Sequence, residues 1–188
     1  MGNVDVIDIM EKSFELFRQV AQFEKVSYEQ FKKDVHKIDE HMSEEKIKYF
    51  YDKIELPKRA TVGSAGYDFF NSIFDFSLRN NETITIPTGI RCNMNKNWVL
   101  VIVPRSGLGF KYRIQLDNTL GIIDSDYFYS DNEGHIMIRI TNDSIFQSCC
   151  NIENGQGFCQ GIFLPYGITK DDDTDGIRNG GFGSTNKK

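Results

Sequence analysis

Between Asn3 and Leu56 the chain contains no glycine and no proline, although it carries sixteen glycines and four prolines in 188 residues. Without the two residues that most often interrupt regular structure this stretch is free to form long helices, and the change of composition after it marks a domain boundary. A surplus of positive charge is also missing. The net charge is −5, of which −4 falls in the first 55 residues. That excludes a general binder of nucleic acid or of membrane surfaces, which needs a basic face, and leaves the rest of the chain nearly neutral. Cysteine is sparse: Cys92, Cys149, Cys150 and Cys159 lack metal-ligand spacing, and a vicinal pair rarely makes a structural disulfide, so a reduced, cytoplasmic protein is expected. No apolar run is long enough to span a membrane, and Asp5, Asp8, Glu11, Lys12, Glu15 and Arg18 interrupt any signal-peptide core.

What the chain does contain is pattern. Ile7, Met10, Phe14, Phe17 and Ala21 recur at helical spacing, and Ser27 with Gln30 three residues on signals the start of a second helix whose stripe is Phe31, Val35, Ile38 and Met42. A helical hairpin over 4–42 follows, within an N-terminal extension of 1–45 that packs on the main domain or docks a protein partner. From Ile47 the period reads as two, with Ile47, Tyr49 and Tyr51 on one face of a strand, and 83–86, 98–103, 136–141 and 161–165 read as further strands. Short strands with turn residues and no helical pattern between them predict an antiparallel barrel or double sheet over 46–168. Residues 131–134 read as the turn of a hairpin, 170–176 as a solvated acidic loop, and 169–188 as an arm loosened by Gly180, Gly181 and Gly183.

Three segments carry chemistry. Gly121-Ile122-Ile123-Asp124-Ser125-Asp126-Tyr127 places a carboxylate and a ring after two isoleucines expected to be buried, the arrangement a fixed general base requires. Pro104-Arg105-Ser106-Gly107-Leu108-Gly109 combines a guanidinium, a hydroxyl and accessible backbone N–H groups, which suits a phosphate. Residues 178–185 repeat that equipment with Arg178, Ser184 and Thr185 and add Phe182, a ring able to stack on a base. His135 and Cys159 have no partner pattern for metal or nucleophilic chemistry.

With Ala65-Gly66-Tyr67-Asp68-Phe69 before them and 155–163 between the last two, these segments resemble, in order, the five motifs of the trimeric dUTP pyrophosphatases (dUTPases). The resemblance spans roughly residues 46–185 and implies a mainly β fold, a jelly-roll-like β barrel, here carrying an N-terminal α-helical hairpin. It implies a homotrimer with shared sites, and hydrolysis of dUTP to dUMP and pyrophosphate with Mg²⁺ held mainly by the substrate phosphates. Carried over residue by residue, Asp124 matches the base that activates water and Asp68 an acid acting on the magnesium ion through water. Tyr127 matches the ring against deoxyribose, Asn118 the reader of the uracil edge, and Met137 the hairpin beside the base, with Ile122 and Ile123 in the same pocket. Arg105, Ser106, Gly107 and Gln160 match phosphate ligands, while Arg178, Ser184 and Thr185 would hold the terminal phosphate and Phe182 would stack on uracil. The chain departs from the family in a fifth motif one residue short, in Gly157 where an arginine is common, in a hairpin lengthened over 128–133, and in the N-terminal extension. Two alternatives stay open: a dCTP deaminase-like relative, and a regulatory nucleotide sensor with a protein partner.

Overall fold

The computed structural model describes residues 19–146, 149–176 and 178. Its first element, β1 (Ala21–Lys25), pairs antiparallel with β6 (Ile90–Met94) from Ala21 opposite Met94 to Lys25 opposite Ile90. Ala21, expected to close a first helix, is therefore in a strand, and the rest of that expected helix up to Arg18 lies outside the described residues. The second helix forms as its start signal predicts. Ser27 caps α1 (Tyr28–His36), its side chain accepting the Gln30 N–H at 3.1 Å, and Phe31 and Val35, four apart, bury the inward face.

The expected strand from Ile47 is instead a helix, α2 (Glu44–Lys53), capped by Ser43 with Glu44 and Glu45 in its first turn. The residues it buries are Ile47 and Phe50, three apart, followed by Ile54, while Tyr49 is 52% exposed. Apolar rings on the outer face produced the period of two; burial follows the period of 3.6. α1 and α2 make the helical hairpin, displaced toward the C-terminus from 4–42. The expected boundary at 45/46 falls inside α2, and Val26, Phe31, Val35, Ile47 and Phe50 belong to one core with Phe69, Ile86, Leu100, Ile140 and Phe158.

The remaining strands are short and antiparallel. β2 (Lys58–Arg59), β3 (Tyr67–Phe70), β12 (Gly157–Pro165), β7 (Trp98–Pro104) and β9 (Gly121–Ile123) form a five-stranded sheet in that order. β5 (Thr83–Pro87), β10 (Met137–Asn142) and β8 (Ile114–Leu116) form a second sheet, and β4 (Phe76–Leu78) pairs with β11 (Cys150–Ile152). This is the mainly β, jelly-roll-like architecture expected, built from separate ladders rather than one continuous closed sheet. Two expectations are corrected. A helix, α3 (Ser106–Tyr112), does interrupt the strands, because the glycine-bearing segment after Pro104 turns helical and ends on Arg113 in the left-handed region at φ 50°. Residues 131–134 do turn, but β9 and β10 do not pair with each other; β9 joins β7, and β10 joins β5 and β8. Among the described residues no helix is long and apolar enough to cross a membrane.

Candidate active site

The opening of β9 is possible only because Gly121 lacks a side chain: a Cβ there would lie 2.9 Å from the Cβ of Ile102 on β7. Close packing at Gly121 lets β9 deliver Ile122, Ile123 and then Asp124 to the rim of a cavity of about 210 Å³, lined among others by Asn118, Ile122, Ile123, Tyr127, Met137 and Arg178. Ile122, expected to be buried, is 53% exposed and faces the cavity. Its apolar surface is available to a ligand instead of a core.

Asp124 then caps a short 3-10 helix, Ser125–Tyr129, and the Tyr127 N–H donates to the Asp124 carbonyl at 3.2 Å. That turn rotates the Tyr127 ring inward, where it is buried and its Oη donates to the His135 carbonyl at 2.9 Å while accepting from Asn132 Nδ2 at 2.8 Å. Burial pushes the Tyr127 phenol up, which keeps it neutral and a donor. The Asp124 carboxylate stays partly solvated and pairs with the Arg178 guanidinium; Arg178 Nε also lies 2.9 Å from Asp126 Oδ1, close enough for an ion pair though not aligned for a hydrogen bond. The expected terminal-phosphate ligand thus rests on the expected base. Phe182, Ser184 and Thr185 lie outside the described residues.

A second group of the expected residues gathers where β3, β7 and β12 meet. Gln160 is opposite Asp68 on one side and Val103 on the other. Arg105, exposed at the start of α3 with Ser106 and Gly107, has its Nε 3.4 Å from Asp68 Oδ1 and donates from Nη1 to the Gly157 carbonyl at 3.3 Å. The absence of a side chain at Gly157 leaves room for that contact, since a Cβ would meet Arg105 Nη1 at 2.6 Å; a Cβ on Gly66 would meet Gln160 Oε1 at 2.3 Å. The guanidinium of Arg105 thus covers the position where an arginine is common in the fourth motif.

The two groups are not brought together within one chain. Leu100 is opposite Ile123, which puts Asp124 level with Val99, and Arg105, just past the end of β7, lies six residues further on. At about 3.3 Å per residue that is roughly 20 Å of strand. Ile102, Leu116, Ile136, Ile138 and Arg139 also line the cavity and were not singled out by the sequence. Their alternation marks strands, but nothing local says which face meets a ligand. Among the described residues no cluster of three or more His, Cys, Asp or Glu could hold a metal ion.

A cavity able to take a planar base, with a carboxylate beside it and a guanidinium, a hydroxyl and an amide gathered toward the other end of β7, is equipment suited to a nucleotide in a β protein. A family model described as dUTPase matches residues 52–186. The deoxyuridine 5'-triphosphate nucleotidohydrolase of Lactococcus lactis is 37% identical over 141 residues, 73% of this chain and 92% of that protein. That of Sodalis glossinidius is 37% identical over 144 residues, 73% and 91% of the two chains. The crystal structure of the Streptococcus mutans dUTPase superposes with a TM-score of 0.56 at 27% identity, covering 79% of this chain and 98% of that one. The chain belongs to the dUTPase family.

Proposed function

We propose that this protein hydrolyses dUTP to dUMP and pyrophosphate, with Asp124 as the base that deprotonates the attacking water. The observation that carries the reading is the fixed relation of Asp124 to Tyr127 across one turn beside the cavity that Tyr127 lines. In this reading the base enters the cavity with Asn118 and the backbone at Met137 along its edge, and the ring of Tyr127 lies against the sugar, where a 2′-hydroxyl would have no room. Water adds in line to the α-phosphorus as the Asp124 carboxylate takes its proton, and pyrophosphate leaves. Arg105, Ser106, Gly107 and Gln160 supply donors for the phosphates, and Arg178 leaves Asp124 for the terminal phosphate, a stronger partner because it carries more charge. Ser184, Thr185 and Phe182 complete the arm over phosphate and base.

Asp68, beside Arg105, would act through water on a magnesium ion held chiefly by the substrate phosphates. When bound, the ion neutralises phosphate charge and withdraws electrons from phosphorus. The separation of Asp124 from Arg105 along β7 far exceeds the reach of one triphosphate from its α-phosphorus. A site that uses both must therefore draw them from different copies, and we infer a homotrimer with shared sites. Phe110, 93% exposed on α3, is the sort of surface a partner copy would cover. Supplying dUTP, UTP, dTTP and dCTP separately, with pyrophosphate and ammonia both measured, tests the reading. Pyrophosphate from dUTP alone is expected; ammonia from dCTP, or equal release from UTP, would overturn it.

A further inference from the structure

We propose that Asp34, on the N-terminal helix α1, and His135 are positioning residues for Tyr127, and that through them this part of the chain sets discrimination between deoxyribose and ribose. The inference rests on the dUTP-hydrolysing reading for its substrate, but the contacts stand on their own. Asp34 and His135, 101 residues apart, are both buried, and neither is used by the hydrolysis described above. His135 Nε2 accepts the Gly89 backbone N–H at 2.8 Å, so the ring proton is on Nδ1, which donates to Asp34 Oδ2 at 2.6 Å. Gln30 Nε2 donates to the same oxygen at 2.6 Å, and Lys37 Nζ lies 2.5 Å from Asp34 Oδ1. Burial alone would push the Asp34 carboxyl up; the hydrogen bonds from His135, Lys37 and Gln30 outweigh it and hold the group well below the usual carboxylate range. A charge fixed by three donors in this way is a rigid post.

From that post the connection to the cavity is short. The His135 carbonyl accepts the Tyr127 hydroxyl at 2.9 Å and Asn132 Nδ2 at 3.2 Å, and Ile136 and Met137, the next two residues, line the cavity. The loop is held at a second point: Glu133 accepts the Ser27 N–H at 2.8 Å and the Ser27 hydroxyl at 2.6 Å, at the residue that caps α1. Between these anchors Gly134, at φ +69°, folds the loop back so closely that a Cβ would lie 2.7 Å from the Phe128 Cα. Residues 132–135 are thus clamped between α1 and the 3-10 helix carrying Tyr127. An imidazole fixed at both nitrogens fixes its own carbonyl, and that carbonyl fixes the ring against the sugar.

The experiment compares kcat/KM for dUTP and UTP in full-length wild type, Asp34→Leu, Asp34→Asn and Tyr127→Phe. Asp34→Leu leaves the His135 Nδ1–H without an acceptor and is expected to reduce the dUTP:UTP ratio about tenfold or more, whereas Asp34→Asn, which keeps an accepting oxygen, restores most of it. Val35→Ala, on the same helix but outside the network, is the control for lost stability and should leave the ratio unchanged at temperatures where it is folded. Tyr127→Phe keeps the ring but loses the tether, so it should lower the ratio by itself, and adding Asp34→Leu to it should lower the ratio no further. An unchanged ratio in folded Asp34→Leu, or fully additive effects in the double variant, would overturn the proposal. Should Asp34→Leu not fold, the ratio in Tyr127→Phe decides, since wild-type discrimination there would remove the tether's role. Amide exchange over 125–135 is the readout independent of substrate: it should quicken in Asp34→Leu and not in Val35→Ala, and no difference would overturn the coupling. Wild type inactive on dUTP, with exchange behaving as expected, would instead strike the substrate reading.

Discussion

Asp124 and Arg178 hold each other in the free protein, so in the proposed reaction Arg178 must leave Asp124 before it can reach the terminal phosphate. Asp124→Asn retains the size and an acceptor for Arg178 but not the basicity. Turnover of dUTP should fall by roughly two to four powers of ten while its affinity, measured by calorimetry, changes little. Turnover near wild type would remove Asp124 from the role. That Asp124 and Tyr127 lie together, as do Arg105 and Ser106, was legible in the sequence because each pair falls within one short motif. His135 was not, because its acceptor is 101 residues away and its donor is a backbone amide, and neither leaves a trace in the spacing of side chains. Arg178 was identified as an anion ligand, yet its rest position on Asp124 depends on how the chain returns past β9, which no local pattern states.

The elements most at odds with their sequence signals are those of residues 19–54. β1 was hidden because Ala21 fits a helical stripe, and α2 because Ile47, Tyr49 and Tyr51 alternate with Lys48 and Phe50; in both cases the tertiary partner, β6 or the core beneath Ile47, overrode the local pattern. Strands with consistent local signals, such as Trp98–Pro104, were legible nearly to the residue. The consequence is energetic: α1 contributes core rather than cover. Phe31→Ala should cost about 3–5 kcal/mol in chemical denaturation, the usual range for emptying a buried aromatic site. Tyr49→Ala, on the exposed side of α2, should stay within about 0.5 kcal/mol of wild type. For the same reason deletion of 1–44, which removes β1 and α1, should yield insoluble or unfolded chain; a folded, active product would show that the core closes without them.

At the scale of the whole molecule the question is which copy supplies which group. In the proposed mechanism the roughly 20 Å of strand between Asp124 and Arg105 calls for sharing, whereas the Arg178–Asp124 contact joins Arg178 to the proposed base of its own chain. Mixing chains ended at Asp175 with full-length Asp124→Asn chains separates these possibilities. Each is expected to be nearly inactive alone, and exchange of subunits should restore activity if arms serve neighbouring bases. No recovery after exchange verified by native mass spectrometry would place arm and base in the same chain.

The burial of Asp34 also imposes an order in time. During synthesis α1 leaves the ribosome about a hundred residues before His135, and β12, central to the main sheet, follows later still. Until then Phe31 and Val35 lack the strands of their core and the Asp34 carboxylate lacks His135, so the inward face of α1 must wait exposed, and the last strands decide when it is released from waiting. A nascent chain stalled before residue 135 should accordingly be a target for chaperones through its N-terminal segment rather than through its newest part.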